Sequence, residues 1–339
     1  MRRTASAVVL GALLALAAAL PARADPVPIR VGWAQAPGHL APLIRELQRR
    51  HPEVFRHFGE SYVAEPIRFQ GSTPQIVAMA VGELEVAAFG SSAFALAVTN
   101  AHLDVRVVAD VIQDGVGGHF SQPYMVRKDG PIQTIEDVRG HRIATNAIGS
   151  ASDAAMRIVL HRHGVLDADI TSAETNFANM PAMIEDGKVD LIALLPQFAP
   201  RIEASGRYRA LFHINDAFGT MQTVHWAMRA DFIAAHRAAV VDFFEDHIRA
   251  LRWFLDPANR ADALAIAADV TRLPADNLAY CFTQADWYRS PDARPEIKAI
   301  QIEIDESAKL GILPSVIRLE PAYVDLSLIE DAKRRIDGN

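Results

Sequence analysis

Three short turns in this chain could hold an anion without any basic side chain. Gly71-Ser72-Thr73, Gly90-Ser91-Ser92 and Gly149-Ser150-Ala151-Ser152 each stand just before a run with helical character. The first turn of a helix carries unpaired N–H groups and about half a positive charge. Such a turn can bind a sulfonate or carboxylate through backbone donors and hydroxyls. The candidate ligand-binding residues are therefore Ser72, Thr73, Ser91, Ser92, Ser150 and Ser152. Ser and Thr also precede helices simply as N-caps, and one turn alone does not separate these readings. Three turns converging on one cleft would favour binding. Trp33, Gln35 and His39 follow the first strand-like segment and could stack on, or hydrogen-bond, the body of a ligand. Asn146 and Gln197, at strand ends, complete the polar set.

Catalytic and metal patterns are weaker. His161 and His163 are two residues apart, so a helix points them in different directions. No HExxH, CxxC or Walker loop occurs, and Gly115-Val116-Gly117-Gly118 lacks the spacing of a dinucleotide fingerprint. No cofactor, metal ligand set or catalytic residue is expected, and the chain reads as a non-enzyme.

The elements that must position the candidates alternate regularly. Ile29 to Trp33, Tyr62 to Phe69, Leu84 to Phe89 and Val105 to Ile112 read as strands. Helical periodicity separates them at Leu40 to Arg50, Ile76 to Val81 and Ala93 to Thr99. That alternation predicts an α/β fold with mostly parallel sheets, in which ligands bind beyond the carboxyl ends of the strands. The glycine-rich stretch at 115–118 reads as a junction. A second strand–helix series runs from Pro123 to the apolar run Val189 to Leu195, expected to be a buried parallel strand. Val224 to Met228 is a further strand. Beyond Asp231 the chain turns helical, with helices at Phe232 to Phe254, Arg260 to Asp269, Pro295 to Leu310 and Asp325 to Ile336.

Arg2-Arg3, the apolar run Val8 to Leu20, and Ala22-Arg23-Ala24 form the three parts of a cleavable signal peptide over residues 1–24. The apolar run is shorter than the roughly 20 residues a spanning helix needs. Losing Arg2, Arg3 and Arg23 moves the formal charge from −7 to −10. An acidic surface argues against nucleic acid as a partner. The single cysteine, Cys281, excludes an intrachain disulfide.

Several segments together resemble the periplasmic solute-binding proteins of ABC importers, in the branch of taurine, alkanesulfonate and nitrate binders. They are Phe69-Gln70-Gly71-Ser72-Thr73-Pro74-Gln75-Ile76, Gly82-Glu83-Leu84-Glu85-Val86, Phe89-Gly90-Ser91-Ser92, Ile135-Glu136-Asp137-Val138-Arg139-Gly140-His141-Arg142-Ile143-Ala144 and Met183-Ile184-Glu185-Asp186-Gly187-Lys188-Val189-Asp190. The resemblance implies a two-lobed type II binding-protein fold with two hinge crossings that closes on its ligand. Residues 25–118 with 225–339 would form one lobe, and 119–224 the other. It further implies a periplasmic carrier: a monomer that captures a small organic anion, a sulfonate or carboxylate, and delivers it to an ABC permease in the inner membrane. Two alternatives stand beside this: a heteroaromatic thiamin-precursor-like ligand, and presentation of the ligand to a membrane sensor. Related chains include a pyrimidine-synthase group with a cysteine-rich motif, which a chain with one cysteine lacks.

Overall fold

The computed structural model describes residues 25–338, so the signal-peptide expectation lies outside the described residues. The chain begins with β1 (Val27–Trp33), α1 (Ala41–Arg50), β2 (Tyr62–Arg68), α2 (Thr73–Ala80), β3 (Val86–Phe89), α3 (Ser91–Thr99) and β4 (Val105–Asp114). It then crosses to a second group. This comprises β5 (Pro123–Arg127), β6 (Arg142–Thr145), α4 (Ala151–Arg162), β7 (Thr171–Glu174), α5 (Met180–Glu185), β8 (Ile192–Ala193), α6 (Ala199–Ala204), β9 (Tyr208–His213) and α7 (Asn215–Phe218). It returns through β10 (Met221–Arg229) and ends in α8 (Ala230–Leu255), α9 (Arg260–Thr271), α10 (Ile297–Lys309) and α11 (Ser327–Asp337).

The first sheet has the order β2-β1-β3-β10-β4. β1 pairs with β2 and β3 in parallel, whereas β10 runs antiparallel between β3 and β4. In the second group β5 lies antiparallel between β8 and β9, and β6 pairs with β7 in parallel. A parallel bridge from Ile143 to Leu191 makes β6 and β8 neighbours. Both sheets are thus mixed rather than mostly parallel. The reason lies in the connections: β5 and β10 each arrive from the opposite sheet, so neither needs the crossover that a parallel pair demands.

Residue types explain the central strands. Val86-Ala87-Ala88-Phe89 is fully buried, as a strand covered on both faces must be. α2, α3 and α10 cover one face of the first sheet through Met79, Phe94, Ile300 and Ile304. α1 and α8 cover the other, Leu43 and Leu47 of α1 lying inward one helical turn apart. The run Val189 to Leu195 is buried as expected, but only Ile192 and Ala193 pair as strand. The chain then turns at Pro196 towards the space between the sheets. Among the described residues no helix is long and apolar enough to cross a membrane.

Candidate ligand cleft between the two sheets

The strand ends of both sheets meet around a cavity of about 490 Å³, part of it open to solvent. Gln35 and His39 enter from the loop after β1, and Gly71 and Ser72 from the turn after β2. Asn146, Ser150, Ala151 and Ser152 face them from the turn after β6 and the start of α4. Of the eleven candidates, six therefore share this wall: Gln35, His39, Ser72, Asn146, Ser150 and Ser152.

None of the three helix starts is capped by its own serine. Ser72 Oγ instead accepts from the Gly90 N–H at 3.1 Å. Ser150 Oγ donates to Asn146 Oδ1 at 2.7 Å, and Ser152 Oγ donates to Gln122 Oε1 at 3.0 Å. Gln70 and Asn146 tie the sides together reciprocally, each side chain donating to the other's backbone carbonyl. Closure is tight because Gly71 and Gly90 lack side chains. A Cβ on Gly71 would come 2.7 Å from Asn146 Nδ2, and one on Gly90 2.6 Å from Ala151 Cβ.

His39 is buried, and its Nδ1 accepts from the Ala34 N–H at 3.4 Å, which assigns the proton to Nε2. Burial, aided by the Arg289 charge, lowers its pKa to about 4, so it is a neutral donor at physiological pH.

Five candidates lie elsewhere. Ser91 and Ser92 do begin a helix that holds an acidic group, but the group belongs to the chain itself. Ser91 Oγ donates to Glu303 Oε2 at 2.5 Å, and Ser92 Oγ lies 3.3 Å from Ser307 Oγ. α10 thus plugs the start of α3. Trp33 lines a smaller internal void, with Arg68 5.6 Å above its ring. Thr73 Oγ1 donates across the rim to the Ile148 carbonyl at 2.9 Å. Gln197 is fully buried as a tie: Nε2 donates to the Ala36 carbonyl at 3.4 Å, and Oε1 accepts from Tyr280 at 3.1 Å.

Burial pushes the Glu303 carboxyl up to about 8, against the pull of Ser91 and the Ser92 N–H. A carboxyl that binds its proton more tightly in the fold than in the unfolded chain makes stability fall as pH rises. The loss runs from the ordinary carboxylate range through about 8. Thermal melts between pH 6 and pH 9 should show this decline in the parent and a flatter profile in Glu303→Gln. An equal slope in both would remove Glu303 as its source.

Sequence reasoning missed part of the wall. Gln122 sits on the β4–β5 crossing, Thr223 on β10, and Trp287 in the segment between α9 and α10. Thr223 Oγ1 is buried with no partner among the described residues, while the Trp287 indole lies against the Asp114 carboxylate and the Gln122 side chain against the Tyr124 hydroxyl. Ile112, Phe177, Leu195 and Val224 supply apolar surface beside them. Trp287 is fixed from behind by Asp286 and Arg289, a buried ion pair at 2.9 Å. The Arg289 guanidinium also donates to the Gly38 carbonyl at 3.0 Å and so holds the loop that carries His39. Cys281 is buried, and its thiol is pushed up to about 12 by burial and the nearby Asp286 charge, so it is no ready nucleophile.

Two mixed sheets, each receiving a strand from the other, with a polar cleft between their strand ends, define a type II periplasmic binding-protein fold. The chain belongs to the NMT1/THI5-like family, whose family model matches residues 68–260. No curated protein matches it in sequence. In structure it is similar to the alkanesulfonate-binding protein SsuA from Xanthomonas axonopodis pv. citri, solved with MOPS bound. The identity is 21% and the TM-score 0.67, over 88% of this chain and 98% of that one. The periplasmic nitrate-binding protein NrtA from Synechocystis PCC 6803 matches with 10% identity and a TM-score of 0.68, over 93% and 90%. The desulfurization enzyme DSZB matches with 12% identity and a TM-score of 0.60, over 91% and 99%. At these identities the likeness is one of fold, and it extends to solute binders and to an enzyme.

Proposed function

We propose that this chain is an exported solute-binding protein whose two lobes, 25–118 with 225–339 and 119–224, shut on a small organic anion. The ligand is a sulfonate or carboxylate with an apolar body, handed on to an ABC-type importer in the inner membrane. One observation carries this reading. The cleft wall holds a buried hydroxyl without a partner among the described residues, Thr223 Oγ1, with the side-chain donors of Gln122 and Trp287 and the start of α4 beside it. Buried donors without acceptors are costly unless a ligand supplies them. Neutral donors and a helix start hold an anion without a buried counter-charge. None of the described residues lining the cleft is acidic, which disfavours a cationic pyrimidine.

A thermal-shift and calorimetric screen of alkyl and aryl sulfonates, carboxylates, nitrate and thiamin-precursor pyrimidines tests the proposal. Organic anions should raise the melting temperature by mass action. For the best of them Thr223→Val should weaken binding about tenfold, the size of a hydrogen bond to a charged group. Stabilisation by a neutral pyrimidine alone would replace the anion with a heteroaromatic ligand.

A further inference from the structure

A second hollow, whose space of about 450 Å³ is in large part open to solvent, lies on the other side of the first sheet, between α1, β2 and the second half of α8. Its frame is aromatic: Phe58, Tyr62, Phe243 and Trp226 follow one another at ring separations of 5.5–5.7 Å. The frame is also built rigidly. The buried Asp246 carboxylate accepts from the N–H groups of Arg56, His57 and Phe58 and from the Tyr62 hydroxyl, at 2.7–3.0 Å, which fixes the loop that forms one wall. Those four donors saturate it.

Two polar groups of this cavity lack partners. His247, only 6% exposed, lines its inner end with Nδ1 unpaired. Arg45 stands exposed at its edge, on the α1 face shared with Ala41, Ile44 and Gln48. The neighbouring Glu46 is taken by Arg49 and Arg50, and Arg45 has no ion pair or hydrogen bond with any described residue. No lining residue is acidic.

We propose that this cavity is a second ligand site, distinct from the cleft, that takes a small amphipathic monocarboxylate. The alkyl or aryl body lies among Phe55, Phe58, Phe243 and Trp226, and the carboxylate faces Arg45. An apolar, aromatic-walled pocket with one unpaired cation at its mouth matches a ligand with one charged end. A permanent ligand cation fits neither Arg45 nor the absence of acids. The unpaired Nδ1 of His247 can take a hydrogen bond from a hydroxyl or amide further down the ligand body.

Calorimetry with octanoate and 4-phenylbutanoate as probes, and 1-octanol as the uncharged match, tests the site on the full chain. Both acids should bind, Arg45→Gln should weaken them about tenfold and leave octanol unaffected. Ala64→Leu, which adds bulk to a wall residue on β2, should abolish both acid and alcohol binding. Arg45 is exposed, so its variant folds even if the β2 variant does not. No binding by either acid overturns the proposal, as does binding that neither substitution alters, which would place the acids in the cleft.

Discussion

Gly90→Val is expected to weaken ligand capture roughly a hundredfold while leaving the melting temperature of the empty protein nearly unchanged. A Cβ at Gly90 would stand 2.6 Å from Ala151 Cβ and 2.8 Å from its Cα. Backbone atoms cannot swing aside as a flexible side chain can. The contact joins the starts of α3 and α4, one in each proposed lobe, and under the proposed closure it would be broken when the lobes open. Overpacking costs up to about 3 kcal/mol, and here the cost falls on the closed state alone. A penalty confined to the binding-competent state reduces apparent affinity by the same factor. Gly90 has extended backbone angles that valine adopts freely, so the open state is untouched. Calorimetry gives the affinity, and small-angle scattering with saturating ligand should report a shape that stays open. A variant that binds and compacts like the parent would show that these helix starts are not part of closure.

Arg289→Met is expected to destabilise the fold by about 3–5 kcal/mol, the usual cost of stranding one partner of a buried ion pair. Arg289 and Asp286 are each about 1% exposed at the side chain. Asp286 would keep its bonds from the Phe282 and Trp287 N–H groups but lose its counter-charge. The Pro37 and Gly38 carbonyls would lose their donor, freeing the loop that carries His39. Chemical denaturation gives the stability change. The double variant Asp286→Asn, Arg289→Met should recover part of it, because the stranded charge is then gone. If the double variant is no more stable than the single one, lost packing rather than the stranded charge sets the cost.

The cleft was legible in the sequence where chemistry is local. Ser150 and Ser152 stand where a helical run begins in the sequence, and the structure sets them at the start of α4 on the cleft wall. Gln35, His39, Ser72 and Asn146 stand at the strand ends of an α/β pattern, the general location of ligands in such sheets. Gln122, Thr223 and Trp287 carried no such mark. They line the cleft because two crossings and a late segment bring them there, and no periodicity encodes that. β7 and β9, short and with few fully buried residues, carried too weak an apolar alternation to be read as strands.

The sequence by itself determined the α/β alternation, the strands β1 to β4, the long helices after β10 and the helix starts able to hold an anion. These follow from periodicity, glycine position and the unpaired N–H groups of any helix end. Only the tertiary structure decided which of those starts is free for a ligand. At α3 the carboxyl of Glu303, 212 residues along the chain from Ser91, already fills the place. At α4 none of the described side chains does so from across the cleft, the carboxylate there being Asp153 of the helix's own first turn, and Gly71 and Gly90 let the opposite sheet approach it. A helix end attracts the nearest available anion, and which anion is nearest depends on how the sheets and helices pack.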